Sequence, residues 1–476
     1  MSDPSAPTVP ATASSARIQS WLLTAAVVLY ILTRIYLVFL FTPQRSDLPY
    51  YYRYAVIGID FGHPTYNHPQ LMVEYPPVAW WNTALPRMID PLPLTATSSK
   101  RLTPSDYERG LKSYRRIYRF FQFLMELVGF LFFVAFMRRR APQHAGLLAL
   151  GYVVVTTLQG HVIYDRLDAG LLMLLMLWAY CWQRSLAPGK GENAWQFAAY
   201  LFLGLGISYK LIPLLMVPFL GLSELYAARP LGRVVRGLSA LFLGAAVPFL
   251  IYVPSAGMGP FYLFKYHGER GIQLESLYAT IMIVASHWDW PIKIVYSHAA
   301  FDLDGALAPL LKPIAKLTLF GFLATAGLWA LWLRRGYDRS LALSTSLFVL
   351  AMAVILSNVV SPQYFVWALP VLLLIAADSC KPGWLGVGIV FGLTVLLALL
   401  TTWLFPYNYM TETVTVGERE VKIIGLIYDL PRLACGVLVT RDWLYLAVVA
   451  GIGVVYFRNH KPLAVPICPK SQGVAP

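Results

Sequence analysis

A chain of 476 residues that is 58% hydrophobic and only 13% charged has about half the charged residues of a soluble domain, in which they make up about 25%. With a mean hydropathy of +0.58, this excludes an ordinary soluble globule and predicts a polytopic membrane protein. The net charge of +14 is expected in cytoplasmic loops and beside lipid headgroups, because no basic tract interleaved with aromatics indicates a nucleic-acid partner.

Apolar runs of spanning length predict an all-α fold with about 11 to 12 transmembrane helices and outward-facing loops that carry short helices. The core, 17–460, is expected to form one domain between a disordered cytoplasmic tail, 1–16, and a flexible one, 461–476. The first run is too long for a cleaved signal peptide. The runs lie near 19–41, 117–137, 145–163, 168–185, 195–208, 211–227, 237–254, 306–333, 340–357, 362–378, 383–404 and 441–457.

Basic residues in the short loops predict the orientation of the spans. If all twelve spans are real, these residues fall on one side, which is assigned to the cytoplasm together with both termini. The loops 42–116, 255–305 and 405–440 then face outward, in a multi-pass protein of the cell membrane. The basic residues are Arg138, Arg139, Arg140, Arg229, Arg233, Arg236, Arg334, Arg335, Arg339, Lys381, Arg458 and Lys461.

The loop after the first span concentrates carboxylates and aromatics at the membrane edge. Asp47 directly follows the span, where a lipid-borne substrate would sit, so it is the first candidate for a catalytic base. Asp60 is the second candidate and Glu74 the third. An ordinary loop aspartate that caps the following segment is the alternative for Asp47. The loop also holds a tyrosine cluster: Tyr50, Tyr51, Tyr52 and Tyr54.

Four further polar clusters occur at the outer ends of spans. Ionisable groups at membrane depth are costly and usually mark a site, so these clusters predict one shared outward cavity, with no matching clusters on the cytoplasmic side. Alternatives remain: Arg166 can neutralise Asp165 or Asp168 locally, Lys210 can snorkel, and Gln363 can cap backbone groups. The clusters are Tyr164–Asp168, Ser208–Lys210, Tyr266–Ser276 and Ser361–Phe365.

These motifs, in this order and on one side, resemble the GT-C class of integral-membrane glycosyltransferases. The resemblance extends from about residue 20 to 405 and is closest to the bacterial polyprenol-phosphate-mannose-dependent mannosyltransferases (the DUF2029 family). It indicates a bacterial inner membrane rather than the endoplasmic reticulum. Many members have an adjacent acidic pair in the first outer loop, which this chain lacks. The residues that carry the resemblance are Ser46, Asp47, Tyr51, Gly62–Tyr66, Glu74–Pro77, Tyr209–Pro213, His267–Ser276 and Ser361–Tyr364.

The resemblance implies an inverting enzyme that transfers a hexose, with mannose as the family default, from a polyprenyl phosphate to a hydroxyl of a lipid or glycan acceptor. Its partners are then the lipid donor, the acceptor and membrane lipids. Neither a metal nor a cofactor is expected, and the four cysteines show no zinc or disulfide spacing. The phosphate would be balanced by Lys210, His267, Arg270 and Arg166. The predicted substrate-binding residues are Asp165, Tyr51, Tyr75, Glu275, Gln363 and Tyr364.

Two rival functions remain open at the level of sequence. A lipid or sugar transporter, or flippase, predicts polar residues through the whole bilayer and clusters on both faces. A membrane acyltransferase predicts a His-centred motif within a span, and none of the eight histidines is clearly placed there. The one-sided clusters favour the glycosyltransferase.

Overall fold

The computed structural model covers most of the membrane domain. The predicted tail 461–476 and Lys381, Arg229, Arg334 and Arg335 lie outside the described residues, and so does most of the predicted tail 1–16. The first helix, however, already begins at Ala13, inside the segment predicted to be disordered. The described residues are 13–43, 46–63, 65–67, 73–90, 104–187, 189, 191–227, 230–298, 300–333, 336–379, 384–406, 411–416, 419–424 and 432–459.

Helices dominate the described part of the chain, as the all-α prediction requires. Short 3₁₀ or π turns extend several of them, for example at Ile212–Met216 before α9 and Pro362–Tyr364 before α16. The α-helices are α1 Ala13–Ile35, α2 Leu48–Ala55, α3 Pro77–Met88, α4 Pro104–Arg140, α5 Ala145–Leu158, α6 Gly160–Ile163, α7 Asp168–Arg184, α8 Glu192–Ile207, α9 Val217–Tyr226, α10 Leu231–Ala245, α11 Val247–Ala256, α12 Tyr262–Glu269, α13 Leu277–Ala285, α14 Ala308–Leu333, α15 Arg339–Leu356, α16 Phe365–Ser379, α17 Trp384–Leu404 and α18 Arg432–Asn459.

Two small antiparallel sheets, which the sequence did not predict, lie in the loops assigned to the outside. The first has the order β1-β3-β2, from strands Ile272–Gln273 (β1), Ile292–Ser297 (β2) and Ala300–Gly305 (β3). In its central strand Asp302 pairs with both Gln273 and Val295. The second sheet is a hairpin of Thr411–Val416 (β4) and Arg419–Ile424 (β5).

Fewer helices than the predicted 11 to 12 are long and apolar enough to cross a membrane alone. Among the described residues six qualify, and a seventh if α10 and α11, bent by 40°, form one span. Each predicted apolar run nevertheless contains helix. The difference arises because runs such as 145–163 and 211–227 divide into shorter pieces at a glycine or proline. The protein is therefore an all-α polytopic membrane protein.

The centre of the bundle consists of helices that are apolar on every side, which is typical of buried helices. In α15, 94% of the residues are buried, and the valines and leucines of α16 are inaccessible to solvent. Elsewhere small residues allow close packing. A Cβ on Gly204 of α8 would lie 2.5 Å from the carbonyl oxygen of Leu241 in α10, so only glycine fits there.

The chain brings its basic loops together at one end of the bundle, which we call the arginine end. There Arg140 donates a 2.9 Å hydrogen bond to Ser340, joining the end of α4 to the start of α15. Arg339 forms ion pairs with Glu224 at 3.0 Å and Glu192 at 3.7 Å. The described residues of the loops 42–90 and 257–306 lie at the opposite end, which we call the loop end. The expectation that buried polar clusters occur only at the loop end is therefore wrong.

Candidate active site

A cavity of about 300 Å³ opens at the loop end, between α2, the start of α3, the first sheet and the turn before α16. It joins four segments that are far apart in sequence. The predicted clusters in the first outer loop, after α6, in the 255–305 loop and before α16 thus each contribute a wall. The lining residues are Asp47, Tyr50, Tyr51, Arg53, Tyr54, Glu74, Tyr75, Arg166, Arg270, Gln273, His298, Ala300, Ser361, Gln363 and Tyr364.

Asp47 stands immediately before α2, with its side chain 25% exposed at the cavity. Its backbone carbonyl accepts bonds from the N–H groups of Tyr50 and Tyr51, but its carboxylate makes no capping bond. The capping alternative therefore does not hold, and the carboxylate remains available to the cavity. Burial raises the pKa of the Asp47 carboxyl, the Arg166 guanidinium opposes this, and the Glu74 carboxylate adds to it.

Arg166 connects two walls of the cavity. Its Nε lies 3.4 Å from Asp47 Oδ2, and its Nη1 donates a 2.9 Å bond to Gln363 Oε1. The guanidinium also lies over the Phe405 ring, 5.3 Å from the centroid. Arg166 is thus held by three groups from different parts of the chain, and it neutralises Asp47 rather than a local aspartate.

Arg270 is a buried lining cation whose guanidinium has no carboxylate partner in the described part of the chain. The other two lining arginines differ from it, because Arg166 is paired with Asp47 and Arg53 is exposed. Arg270 is 7% exposed, and its Nε is buried without a hydrogen-bond partner. Its only described side-chain contact is with the face of Tyr266, 5.8 Å from the ring centroid. A buried cation without a counter-charge is costly. An anion in the cavity would supply the missing charge.

Glu74 contributes a second carboxylate to the cavity wall, next to Tyr75. Its charge reaches the neighbouring α12, where burial and Glu74 together raise the pKa of the Tyr266 phenol. Tyr75 and Tyr51 meet through their hydroxyls, which lie 3.5 Å apart. The cavity therefore combines two carboxylates, three arginines and an aromatic wall.

Tyr364 and Gln363 reach the cavity from the 3₁₀ turn before α16. Burial raises the pKa of Tyr364 to about 12, so its hydroxyl stays protonated and can donate a hydrogen bond. Lys210 lies behind this ring, 5.2 Å from its centroid, and forms a 2.7 Å ion pair with Asp168. Lys210 thus does not line the cavity, although it was predicted to bind phosphate there.

Four other predicted site residues also lie outside the cavity wall, three of them in ion pairs. Asp60 receives two 2.8 Å bonds from Arg87. Asp165 lies 2.8 Å from Arg119, and Glu275 lies 2.6 Å from Arg441. His267 is exposed on α12 and packs edge-on against Tyr266. These carboxylates already have counter-charges, so their geometry favours a structural role.

Several lining residues were not among the predicted ones. Gln273 lies within a cluster that the sequence did identify, beside Arg270. Arg53 sits among the predicted tyrosines of α2. His298 and Ala300 carry no signal in the sequence, because they reach the cavity only through the β2–β3 hairpin. No group of three or more His, Cys, Asp or Glu side chains within the described ranges is arranged to hold a metal ion.

The fold and the cavity define a polytopic α-helical membrane protein with a polar site at one end of its bundle. No protein-family model matches the sequence, and neither does any curated protein. Solved structures similar to the chain include two crystal structures of ArnT from Cupriavidus metallidurans, one bound to undecaprenyl phosphate and one in the apo state. Identity is 14% and 13%, the TM-score is 0.38 for both, and the match covers 93% and 94% of this chain and 78% of ArnT. A likeness at this level does not establish a shared activity, which must be argued from the site.

Proposed function

We propose that the protein is an inverting glycosyltransferase that moves a hexose from a polyprenyl-phosphate donor to a hydroxyl of a lipid-linked or cell-envelope glycan. The observation that carries the proposal is Arg270, a buried guanidinium without a carboxylate partner among the described residues, in the same cavity as the Asp47 carboxylate. Transfer from a lipid phosphate needs both groups: a cation for the phosphate and a base for the acceptor proton.

The reaction balances with these groups alone. The acceptor oxygen attacks the anomeric carbon and forms the new glycosidic bond while the bond from that carbon to the phosphate oxygen breaks. The phosphate leaves with the electron pair as polyprenyl phosphate, and its charge is balanced by Arg270. The acceptor proton passes to Asp47. A single displacement inverts the anomeric centre, so a β-linked donor gives an α-linked product.

Asp47 suits the role of base because burial and nearby carboxylates raise its pKa, which makes the ionised form a stronger proton acceptor. Arg166, whose Nε lies 3.4 Å from Asp47 Oδ2, opposes this rise and favours the ionised carboxylate. No ion pair joins Glu74 to that cation among the described residues, and we assign Glu74 to binding sugar hydroxyls. Asp60 is not retained as a base, since both its oxygens are bound by Arg87.

The size of the cavity supports a lipid-linked sugar. About 300 Å³ is at the lower limit of ligand pockets, enough for a monosaccharide and a phosphate but not for a polyprenyl chain. The polyprenyl chain of the donor would remain in the bilayer. Mannose as the sugar, a bacterial inner membrane and an outward-facing site are proposed from the sequence resemblance and from the basic residues of the opposite end.

The first test is the Arg270→Ala variant. We expect the KM for undecaprenyl-phosphate mannose to rise about 10- to 100-fold, because a charge-assisted bond to phosphate contributes about 1.5–3 kcal/mol. Transfer to an octyl mannoside by the purified protein in proteoliposomes measures it. Lys265→Ala is the matched control, since Lys265 is an exposed cation on α12. An unchanged donor KM in Arg270→Ala would remove the basis of the proposal.

The same proteoliposomes distinguish the transporter. Product without net movement of the sugar lipid across the bilayer supports the transferase, and movement without product supports a flippase. Polar groups occur at both ends of this bundle, which the flippase reading expects. Those at the arginine end, however, are paired with one another, as in Arg339 with Glu224, which favours the transferase.

The Arg166→Gln variant tests how the base is tuned. Removing the cation should raise the pKa of Asp47, because an opposite charge favours the ionised carboxylate. We expect the acid limb of the kcat/KM profile to move to higher pH by about one unit, while kcat/KM on the plateau falls less than in a variant of Asp47 itself. A profile that does not move, or moves to lower pH, would contradict the assignment of Asp47.

A further inference from the structure

His298 lines the cavity but has no part in the chemistry described above. It lies in the turn between β2 and β3, where Ser297 pairs with Ala300. Its backbone has φ +49°, in the left-handed region that favours glycine. Tyr266 donates a hydrogen bond to its carbonyl oxygen at 2.5 Å and packs edge-on against its ring. The backbone and the ring are therefore held in place from α12.

The hydrogen bonds of the imidazole assign its tautomer. Asp302 Oδ2 accepts from the Ser297 hydroxyl at 2.6 Å and also from the Gly271 N–H at 3.3 Å. A carboxylate can only accept, so the Ser297 proton is used and its oxygen is free to accept in turn. His298 Nδ1 lies 3.2 Å from that oxygen and must supply the proton. In the neutral imidazole Nε2 then carries the lone pair, and no described residue bonds to it.

Asp302 organises two cavity residues at once. Through Ser297 it orients His298, and through the Gly271 N–H it fixes the backbone next to Arg270. The fit is close, since a Cβ on Gly271 would lie 2.8 Å from Asp302 Oδ2. Asp302 itself is 5% exposed and belongs to the central strand of the sheet. Asp302 thus supports both His298 and the backbone beside Arg270, two residues that line the same cavity.

We propose that His298 is a substrate-binding residue whose Nε2 accepts a hydrogen bond from a sugar hydroxyl in the cavity, and that Ser297 is its positioning residue. The proposal rests on the proposed glycosyl transfer. Sugar hydroxyls are donors that need acceptors, and a cation such as Arg270 or Arg166 cannot accept. The hydroxyl belongs either to the donor sugar or to the acceptor, and the experiment below distinguishes these.

The variant that removes the imidazole without changing the backbone is His298→Gly, because glycine adopts positive φ freely. His298→Asn restores an acceptor in a residue that tolerates this conformation. The control is His287→Ala, a histidine on the exposed turn before β2. Each protein is tested for binding of bare undecaprenyl phosphate and of undecaprenyl-phosphate mannose, glucose, galactose and arabinose, and for transfer to octyl mannoside.

We expect His298→Gly to bind bare undecaprenyl phosphate within about twofold of the parent. If the hydroxyl is on the donor, affinity for the preferred sugar lipid falls about tenfold; if it is on the acceptor, the KM for octyl mannoside rises about tenfold instead. His298→Asn should recover part of either loss. Equal loss of bare-phosphate binding, or no change in either constant, overturns the role of His298. Absence of any sugar-dependent binding or transfer in the parent overturns the proposed function and this inference together.

A double-mutant cycle tests the positioning role of Ser297. Ser297→Ala alone should weaken by about threefold the same binding, of donor or of acceptor, that His298→Gly weakens. In the His298→Gly background it should cost nothing further, because Ser297 acts only through the imidazole. Additive losses would show that Ser297 serves the hairpin rather than His298, and would overturn that part of the proposal.

Discussion

Replacing Asp47 with asparagine should lower kcat for sugar transfer by about 10²- to 10⁴-fold while the protein still folds and inserts. The amide keeps the size of the side chain and can still receive the Arg166 bond, but it cannot take a proton. The expected loss is in kcat rather than in the donor KM, because the phosphate contact lies at Arg270. Initial rates with undecaprenyl-phosphate mannose and octyl mannoside measure both constants.

The control for Asp47→Asn is a carboxylate that is ionised but lies outside the cavity. Asp304→Asn serves as the control, since Asp304 is half-exposed on β3 and pairs with Lys293 at 3.1 Å. Glu74→Gln separates the two cavity carboxylates: we expect it to raise a substrate KM with a smaller effect on kcat. If Glu74→Gln lost transfer and Asp47→Asn kept the parent kcat, the base would be Glu74.

The positions of the helices followed from the sequence because hydrophobic runs are local. Every predicted run contains helix, and the first one became α1 with its π turn. The number of helices that span the bilayer unaided did not follow, because the turn at Leu211–Met216 and the bend at Ala246 break runs of continuous hydropathy. Apolar and polar residues do alternate along residues 292–294 and 301–304, but the β2–β3 hairpin was missed because these runs are only three and four residues long within one loop.

The sequence predicted the site only in part: it indicated which polar residues lie at the loop end, but not which of them line the cavity. Asp47, Glu74, Arg166, Arg270, Gln363 and the tyrosines do converge on one cavity. Asp60 and Glu275 looked equivalent in the sequence, but their partners Arg87 and Arg441 stand 27 and 166 residues away. Which carboxylate is neutralised by a distant arginine is decided by tertiary packing. Spacing along the chain therefore could not separate the structural acids from those in the cavity.

Unlike Arg270, Arg34 inside the bundle has a partner for every guanidinium nitrogen. Arg34 of α1 is 2% exposed and binds Glu126 of α4, whose side chain is inaccessible, at 2.8 Å. Tyr30 and Tyr164 also donate to the Glu126 carboxylate, and Thr157 accepts from Arg34 at 2.7 Å. The Arg34–Glu126 pair does not line the cavity and serves to link helices. Arg270 has no such carboxylate partner among the described residues, which supports the proposal that it binds an anion.

The Glu126→Leu variant should lose about 3–5 kcal/mol of the free energy of unfolding, because it leaves the Arg34 charge buried without a partner. Unfolding of the purified protein in mixed micelles with increasing SDS, followed by tryptophan fluorescence, measures the change. Protein that remains folded should keep its affinity for undecaprenyl phosphate, since neither residue lines the cavity.

The double variant Arg34→Met with Glu126→Leu separates the cost of an unpaired charge from that of lost packing. Removing both charges should recover most of the stability, because an apolar pair of similar volume is often as stable as a buried ion pair. A deficit of about 1 kcal/mol for each of the Tyr30 and Tyr164 hydroxyls should remain, since both lose their acceptor. If the double variant were no more stable than Glu126→Leu, the ion pair would not be the source of the loss, and the carboxylate would act mainly as the acceptor of the two tyrosines.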